Sequence, residues 1–164
     1  MALASAPRML TGDVGFFVPE WGNAVIKMTF DVHEANLVSH AASGIVTVQL
    51  NSDYGSKNLS FAPTCMYFGE DNTSKPTLIL VMKVTETTVT EAGTGLVGEY
   101  AKWLVRDGGT PGSKGDEITI KSYQLDPTWI EYWPAGSPPD CTTFESTPGY
   151  EYPIPVKEGN LTIH

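Results

Sequence analysis

The sequence predicts a single all-β domain, either an antiparallel β-barrel or a β-sandwich of about eight to ten strands. Three observations carry this prediction. Apolar and polar residues alternate with a period of two in several runs, and these runs are rich in β-branched and aromatic residues. Clusters of glycine, asparagine, aspartate and proline separate the runs at a spacing of roughly ten residues. The length of 164 residues is enough for one domain with its own core.

The first strands of the chain show the alternation most clearly. Residues 24–32 place apolar side chains at every second position from Ile26 to Val32, with polar ones between them, which is typical of a strand with one buried face. The run 45–50 repeats this pattern. The run 77–84 is apolar almost throughout, so we expect a central strand that is covered on both faces.

The remaining elements are predicted from shorter runs. Residues 86–90, 97–105 and 117–125 are further strand candidates. The segment 33–42 is the best helix candidate, although a long hairpin connection fits it equally well. The last residues, 159–164, return to strand character, and we expect them to close the sheet.

Two segments fall outside the regular pattern. Residues 1–10 are expected to be a flexible N-terminal stub. Residues 126–155 hold seven of the chain's 12 prolines and six aromatic residues, and proline is excluded from central strands. We therefore expect 126–155 to be a long ordered excursion that its aromatic rings pack onto the barrel or sandwich. Loops of this length inside a compact domain are often functional.

The charge of the chain limits its partners. Ten basic and 19 acidic residues give a net charge of −9, which disfavours nonspecific binding to nucleic acid and docking on an anionic membrane surface. No apolar stretch approaches the ~18 residues of a membrane span.

The N-terminal residues 1–7 contain the small-x-small pattern Ala4-Ser5-Ala6 of a signal-peptide cleavage site. We therefore expect a secreted or extracytoplasmic protein.

The two cysteines, Cys65 and Cys141, are too few for a disulfide scaffold. In an exported protein we expect them to pair, since disulfides persist in oxidising compartments. Two buried free thiols are the alternative.

Two segments carry a resemblance. A strand runs into Asp107-Gly-Gly-Thr-Pro-Gly112, and the chain ends in Gly159-Asn-Leu-Thr-Ile-His164. Together with Gly44 and Cys65, these resemble small secreted bacterial all-β domains that have an Asp-x-Gly-x-Pro-Gly loop and a C-terminal Gly-Asn-Leu-x-x-His. That family is largely uncharacterised, so the resemblance implies export and an all-β fold and no particular activity. Residues 126–155 lie outside the pattern.

The predicted ligand-binding residues are Trp129, Glu131, Tyr132 and Trp133. Aromatic rings stack on the C–H faces of sugars, and a carboxylate accepts hydrogen bonds from hydroxyl groups. The segment therefore fits a sugar-stacking surface or the mouth of an apolar pocket. The alternative is that buried rings anchor this loop to the sheet.

The predicted metal ligands are Asp107 and Asp116, which flank a glycine-rich loop with Glu117 beside them. Carboxylates and loop carbonyls are the ligands that calcium requires, so a structural calcium ion is the one cofactor that we consider. An ordinary stiff turn between two strands is the alternative.

Three histidines, His33, His40 and His164, are the other metal candidates. If the fold brings them together, they supply three imidazoles to copper or zinc. The alternative is that each is solvated or hydrogen-bonded on its own.

These observations lead to one principal functional prediction and two alternatives. The principal one is a secreted, non-enzymatic binding or structural module for a carbohydrate or another extracellular surface. The first alternative is a barrel with a cavity that binds or transforms a small apolar molecule, as an isomerase or cyclase would. The second is a histidine-based metal protein. The predicted partners are a small molecule or a carbohydrate, and neither nucleic acid nor membrane.

Overall fold

The computed structural model describes residues 7–70, 76–90, 95–107, 116–121, 132–142 and 151–164. Within them the chain forms one antiparallel sheet curled into a half-barrel, which confirms the all-β prediction. The strands of these described ranges are β1 (Met9–Val18), β2 (Ala24–Glu34), β3 (Ala42–Ser52), β4 (Gly55–Glu70), β5 (Pro76–Thr87), β6 (Tyr100–Arg106), β7 (Glu117–Lys121), β8 (Glu151–Pro155) and β9 (Glu158–Ile163). A 3-10 turn, Pro19–Trp21, joins β1 to β2.

The strand order follows the chain, and the C-terminal segment joins the two edges of the sheet. Each strand from β1 to β7 pairs with the next, and β9 returns to pair with β1. Only Val156 and Lys157 separate β8 from β9. The amide of Val156 donates to the carbonyl of Asp116 and that of Lys157 to the carbonyl of Gly15, at 3.0 and 2.9 Å. The C-terminal residues therefore form a strand, as predicted, but the sheet stays a half-barrel whose two edge strands are β8 and β9.

The core lies on the inner face of the half-barrel. In β2 every second side chain from Ala24 to Glu34 is buried, because successive side chains of a strand point to opposite faces. Inward side chains from β1 to β7 and from β9 form one continuous apolar cluster. Phe61 and Trp103 meet edge to face within it, with 5.5 Å between ring centroids. Burying one such large side chain stabilises the fold by roughly 1.5–3 kcal/mol.

The outer face of β5 is buried as well. Ile79 is 0% and Val81 1% exposed, although both point away from the inner core. Cys141, in the covering segment 132–142, packs on them and forms a disulfide with Cys65 of β4. Both the two-sided burial of β5 and the pairing of the cysteines confirm the predictions.

The helix candidate 33–42 is a hairpin connection, so the helix interpretation was wrong. β2 continues to Glu34 and β3 begins at Ala42. Between them the side-chain oxygen of Asn36 accepts the amides of Val38 and Ser39, at 2.8 and 2.9 Å. Asparagine favours such a turn because its side chain bonds to the backbone two residues further on.

Two strands lie where the sequence predicted none. β1 begins at Met9, and Leu10 is fully buried, so the N-terminal stub is shorter than the predicted 1–10. β4 begins at Gly55, within a cluster of turn-forming residues, and contains Pro63 in its interior. The register with β5 shifts on both sides of Pro63, because a proline has no amide for the ladder and is tolerated at a bulge.

The predicted excursion 126–155 also ends in a strand, β8. Its prolines are accommodated because β8 pairs along its length with β7, and an edge strand tolerates a missing amide on its free side. Residues 122–131 and 143–150 lie outside the described residues.

Among the residues that the structure describes, none belongs to a helix of the length and apolarity needed to cross a membrane.

Candidate functional site

The outer face of β1, β2 and β3 carries an open groove of about 330 Å³. We call it the β1–β3 groove. Its lining consists mainly of outward-facing polar residues and two glycines: Asp13, Gly15, Lys27, Thr29, Thr47, Gln49 and Gly159, with the backbone of Val14 and Met28 below them.

Period-two alternation and strand register together build this groove. The inward positions of β2 are apolar, so Lys27 and Thr29 must point outward. The register places Lys27 between Gly15 and Gln49 on the neighbouring strands. Because Gly15 has no side chain, the surface is depressed beside Lys27, and the neighbouring polar side chains form the walls.

The groove offers hydrogen-bonding groups of every kind. The carboxylate of Asp13 accepts, the ammonium of Lys27 donates, and the amide of Gln49 does both. The hydroxyls of Thr29 and Thr47 are hydrogen-bonded to each other. Whichever hydroxyl accepts in that pair keeps its own hydrogen free to donate. Such a set matches a ligand that carries several hydroxyl groups.

An exposed apolar pair lies next to the groove. Phe17 and Val25 are cross-strand partners on β1 and β2, 47% and 42% exposed. Phe17 follows Gly15 on the outer face of β1 by one strand period. An aromatic ring at the end of a polar groove suits a ligand with both hydroxyl groups and apolar C–H faces.

A second groove of about 340 Å³ lies beside the first, over β3, β4 and β5. We call it the β3–β5 groove. Its outward side chains are again hydroxyls, amides and a carboxylate: Thr47, Gln49, Asn58, Ser60, Glu86 and Thr88. Thr47 and Gln49 of β3 belong to both grooves.

The predicted aromatic platform is described only in part. Trp129 and Glu131 lie outside the described residues. Tyr132 is partly buried against the core, and its burial raises the pKa of the phenol, with a smaller contribution from the negative charge of Glu99. The backbone of the partly buried Trp133 exchanges hydrogen bonds with Tyr100, at 3.0 and 2.8 Å.

Tyr132 and Trp133 thus fasten the covering segment to the sheet, which is what the anchoring interpretation predicts. Ligand binding by Trp129, Glu131, Tyr132 and Trp133 stays a prediction.

The two predicted calcium ligands, Asp107 after β6 and Asp116 before β7, lie where this end of the sheet meets β9. A side-chain oxygen of Asp116 accepts the amide of Leu161, and one of Asp107 accepts the amide of Ile163, both at 3.0 Å. These carboxylates therefore satisfy amides of β9 that face away from β1. The loop between them, 108–115, lies outside the described residues, so the calcium site stays a prediction.

The three histidine rings make separate hydrogen bonds. Each contacts a different neighbour: His33 with Asp31 at 2.7 Å, His40 with Glu34 at 3.5 Å, and His164 with Thr11 at 3.2 Å. Within the described ranges, no three His, Cys, Asp or Glu side chains form a group that could hold a metal ion.

Glu34 and His40 form the more buried of the two acid–imidazole pairs among these contacts. Glu34 also accepts the amide of Arg8 at 3.2 Å, and the His40 ring lies edge-on to Tyr67 with 5.0 Å between centroids. The carbonyl of His40 accepts the amide of Met66. These contacts attach the connection between β2 and β3 to Arg8, just before β1, and to β4, so the pair has a structural role.

Sequence reasoning missed the residues of the two grooves. The signal was present in the polar half of each alternating run, such as Lys27 and Thr29 in 24–32 and Thr47 and Gln49 in 45–50. Which of these side chains lie side by side depends on the register, which a single sequence does not reveal.

Comparison of the chain with protein-family models, with curated proteins and with solved structures finds no match.

Proposed function

We propose that the protein is a secreted, non-enzymatic binding module that holds a carbohydrate in the β1–β3 groove. The observation that carries this proposal is the distribution of polarity over the described residues. Apolar side chains fill the inner face, Cys141 packs on the outward side chains of β5, and the outer face of β1–β3 carries an open, mainly polar groove beside the exposed Phe17 and Val25.

The chemistry of the groove supports a polyhydroxylated ligand. Asp13, Lys27 and Gln49 together offer acceptors and donors to neighbouring hydroxyl groups. A hydrogen bond to protein contributes about 0.5–1.5 kcal/mol net, and an open groove retains part of its hydration. We therefore expect dissociation constants in the range of about 10 µM to 1 mM.

The disulfide supports an extracytoplasmic location. Cys65 and Cys141 join the covering segment to β4, and such bonds form and persist mainly in oxidising compartments.

The other two predicted functions have less support. An apolar small molecule would need space inside the sheet, where side chains such as Phe61 and Trp103 pack against each other. A histidine-based metal protein would need imidazoles that converge, whereas His33, His40 and His164 contact three different neighbours.

The test is calorimetric titration with a panel of soluble neutral oligosaccharides derived from cellulose, xylan, mannan and chitin. We expect at least one of them to bind. Lys27→Ala and Gln49→Ala should each weaken that binding about fivefold, the loss of roughly one hydrogen bond. The matched control is Lys83→Ala, an exposed lysine on β5 outside both grooves.

Two results contradict the proposal. One is that no oligosaccharide of the panel binds. The other is that Lys27→Ala and Gln49→Ala bind as tightly as Lys83→Ala does.

A further inference from the structure

The two grooves form one continuous polar surface, because Thr47 and Gln49 of β3 line both of them. We infer that the ligand is an extended, neutral polysaccharide chain that crosses the strands from β1 to β5. This inference rests on the proposed function and adds to it the length, direction and charge class of the ligand.

The strand register lines up polar side chains in a row across five strands. Asp13 faces Thr29, Thr29 faces Thr47, Thr47 faces Ser60, and Ser60 faces Glu86. Neighbouring strands lie about 4.8 Å apart, so the four steps of this row cover roughly 19 Å along the sheet. The row runs across the strands and passes through both grooves.

A parallel row supplies a second line of contacts. Lys27 lies opposite Gln49, and Gln49 lies opposite Asn58. The backbone amide of Asn58 donates in turn to the hydroxyl oxygen of Thr88, the residue after β5, at 3.1 Å. The surface therefore repeats its hydrogen-bonding groups once per strand. A polymer with hydroxyl groups at regular intervals matches such a repeat, whereas a single sugar would occupy one groove and leave the other unused.

The charges of the surface select against anionic chains. Exposed carboxylates stand at both ends of the first row, on Asp13 and Glu86, and Lys27 is the cation that lines the β1–β3 groove. The whole chain carries a net charge of −9. A uronate or sulfated polysaccharide would bring further negative charge to this field, which costs free energy at low salt. A neutral chain avoids this repulsion, and its hydroxyl groups can donate hydrogen bonds to both carboxylates.

The experiment measures dissociation constants for one neutral oligosaccharide series, from disaccharide to hexasaccharide, taken from the polysaccharide that binds in the panel above. We expect affinity to rise with length and to stop rising once the chain spans both grooves. A single exposed residue in each groove separates the two contributions.

For the hexasaccharide, Lys27→Ala and Asn58→Ala should each raise Kd about fivefold, and the double variant about twenty-five-fold. For the disaccharide, which needs only the β1–β3 groove, Asn58→Ala should have no effect. At low ionic strength, a uronic-acid hexasaccharide should bind at least about tenfold more weakly than the neutral hexasaccharide. This difference should shrink as the ionic strength rises. Lys83→Ala is again the control, and far-ultraviolet circular dichroism checks that each variant keeps its strands.

The outcomes distinguish the two proposals. If disaccharide and hexasaccharide bind equally well, or Asn58→Ala leaves the hexasaccharide unaffected, the extended-chain inference is wrong while the proposed function stands. If the uronic-acid chain binds as tightly as the neutral one at low salt, the charge assignment is wrong. If no member of the neutral series binds, the proposed function itself fails.

Discussion

Replacing Asp116 by alanine should destabilise the protein by about 2–3 kcal/mol, because the carboxylate is the buried acceptor for an amide of the last strand. Asp116 is 1% exposed, and its side-chain oxygen lies 3.0 Å from the amide nitrogen of Leu161, a residue that is fully buried. Alanine would leave this amide without its acceptor. An unsatisfied buried amide costs about 1–3 kcal/mol, and a hydrogen bond to a charged group is worth about 1.5–3 kcal/mol.

Urea denaturation followed by tryptophan fluorescence measures this loss. The midpoint should fall while the slope stays unchanged, since the variant exposes no additional surface on unfolding. In a thermal scan the same loss corresponds to a fall of roughly 5–10 °C for a domain of this size. Asp116→Asn should recover part of the stability, because its amide oxygen still accepts a hydrogen bond from Leu161.

The matched control is Asp13→Ala, which changes the net charge by the same amount at an exposed position. The contrary result is that the free energies of unfolding of Asp116→Ala and of that control differ by less than about 0.5 kcal/mol, the range of ordinary surface substitutions. In that case the Asp116 carboxylate does not attach β9 to the rest of the sheet. The reasoning about how β9 is attached would then be refuted.

Three further predictions concern the covering segment and the backbone. Replacing Cys65 and Cys141 by serine should lower stability by about 2–4 kcal/mol, given their separation of 76 residues, and equal urea midpoints would contradict this. The raised pKa of Tyr132 means that the stability it contributes is complete below about pH 10 and is lost as the pH rises further. Tyr132→Phe should therefore lose less stability than the wild type between about pH 8 and 11, and parallel pH profiles would count against it. Gly44 and Gly55 have nearly the same φ, +121° and +122°, but an added Cβ at Gly44 would lie 1.9 Å from a carbonyl oxygen of β2, whereas at Gly55 it meets nothing within 4 Å. Gly44→Ala should cost about 3 kcal/mol or more and Gly55→Ala about 1–2 kcal/mol, so equal losses in urea denaturation would exclude the steric explanation.

The parts of the fold that depend on local pattern follow from the sequence. The alternation from Ile26 to Val32 places every second side chain of β2 in the core. The uninterrupted apolar run containing Ile79 and Val81 correctly predicts a strand that is buried on both faces. These features can be predicted because they depend on the period of side-chain direction along one strand.

The parts that depend on distant partners do not follow from the sequence. Pro63 argues against a strand over β4, and only the bulge opposite β5 makes it tolerable. Asp107 and Asp116 have the chemistry of calcium ligands, but their acceptor role depends on β9, more than 40 residues away in the chain. The β1–β3 groove combines residues of β1, β2 and β3 with Gly159 of β9, so its composition requires the register of four strands.

One physical relation nevertheless connects the sequence to the location of the proposed site. A strand whose outward residues are apolar, as β5 is at Ile79 and Val81, must be covered on that side, and part of the 126–155 excursion covers it through Cys141. A strand whose outward residues are polar, as β2 is at Lys27 and Thr29, gains nothing from such a cover, because burial would remove those groups from water. The described part of the excursion accordingly packs on β4 and β5 at Cys141, while Lys27 and Thr29 stay exposed on the alternating strand β2. The same alternation that builds the core thus also puts these polar side chains on the outer surface, where the proposed groove lies.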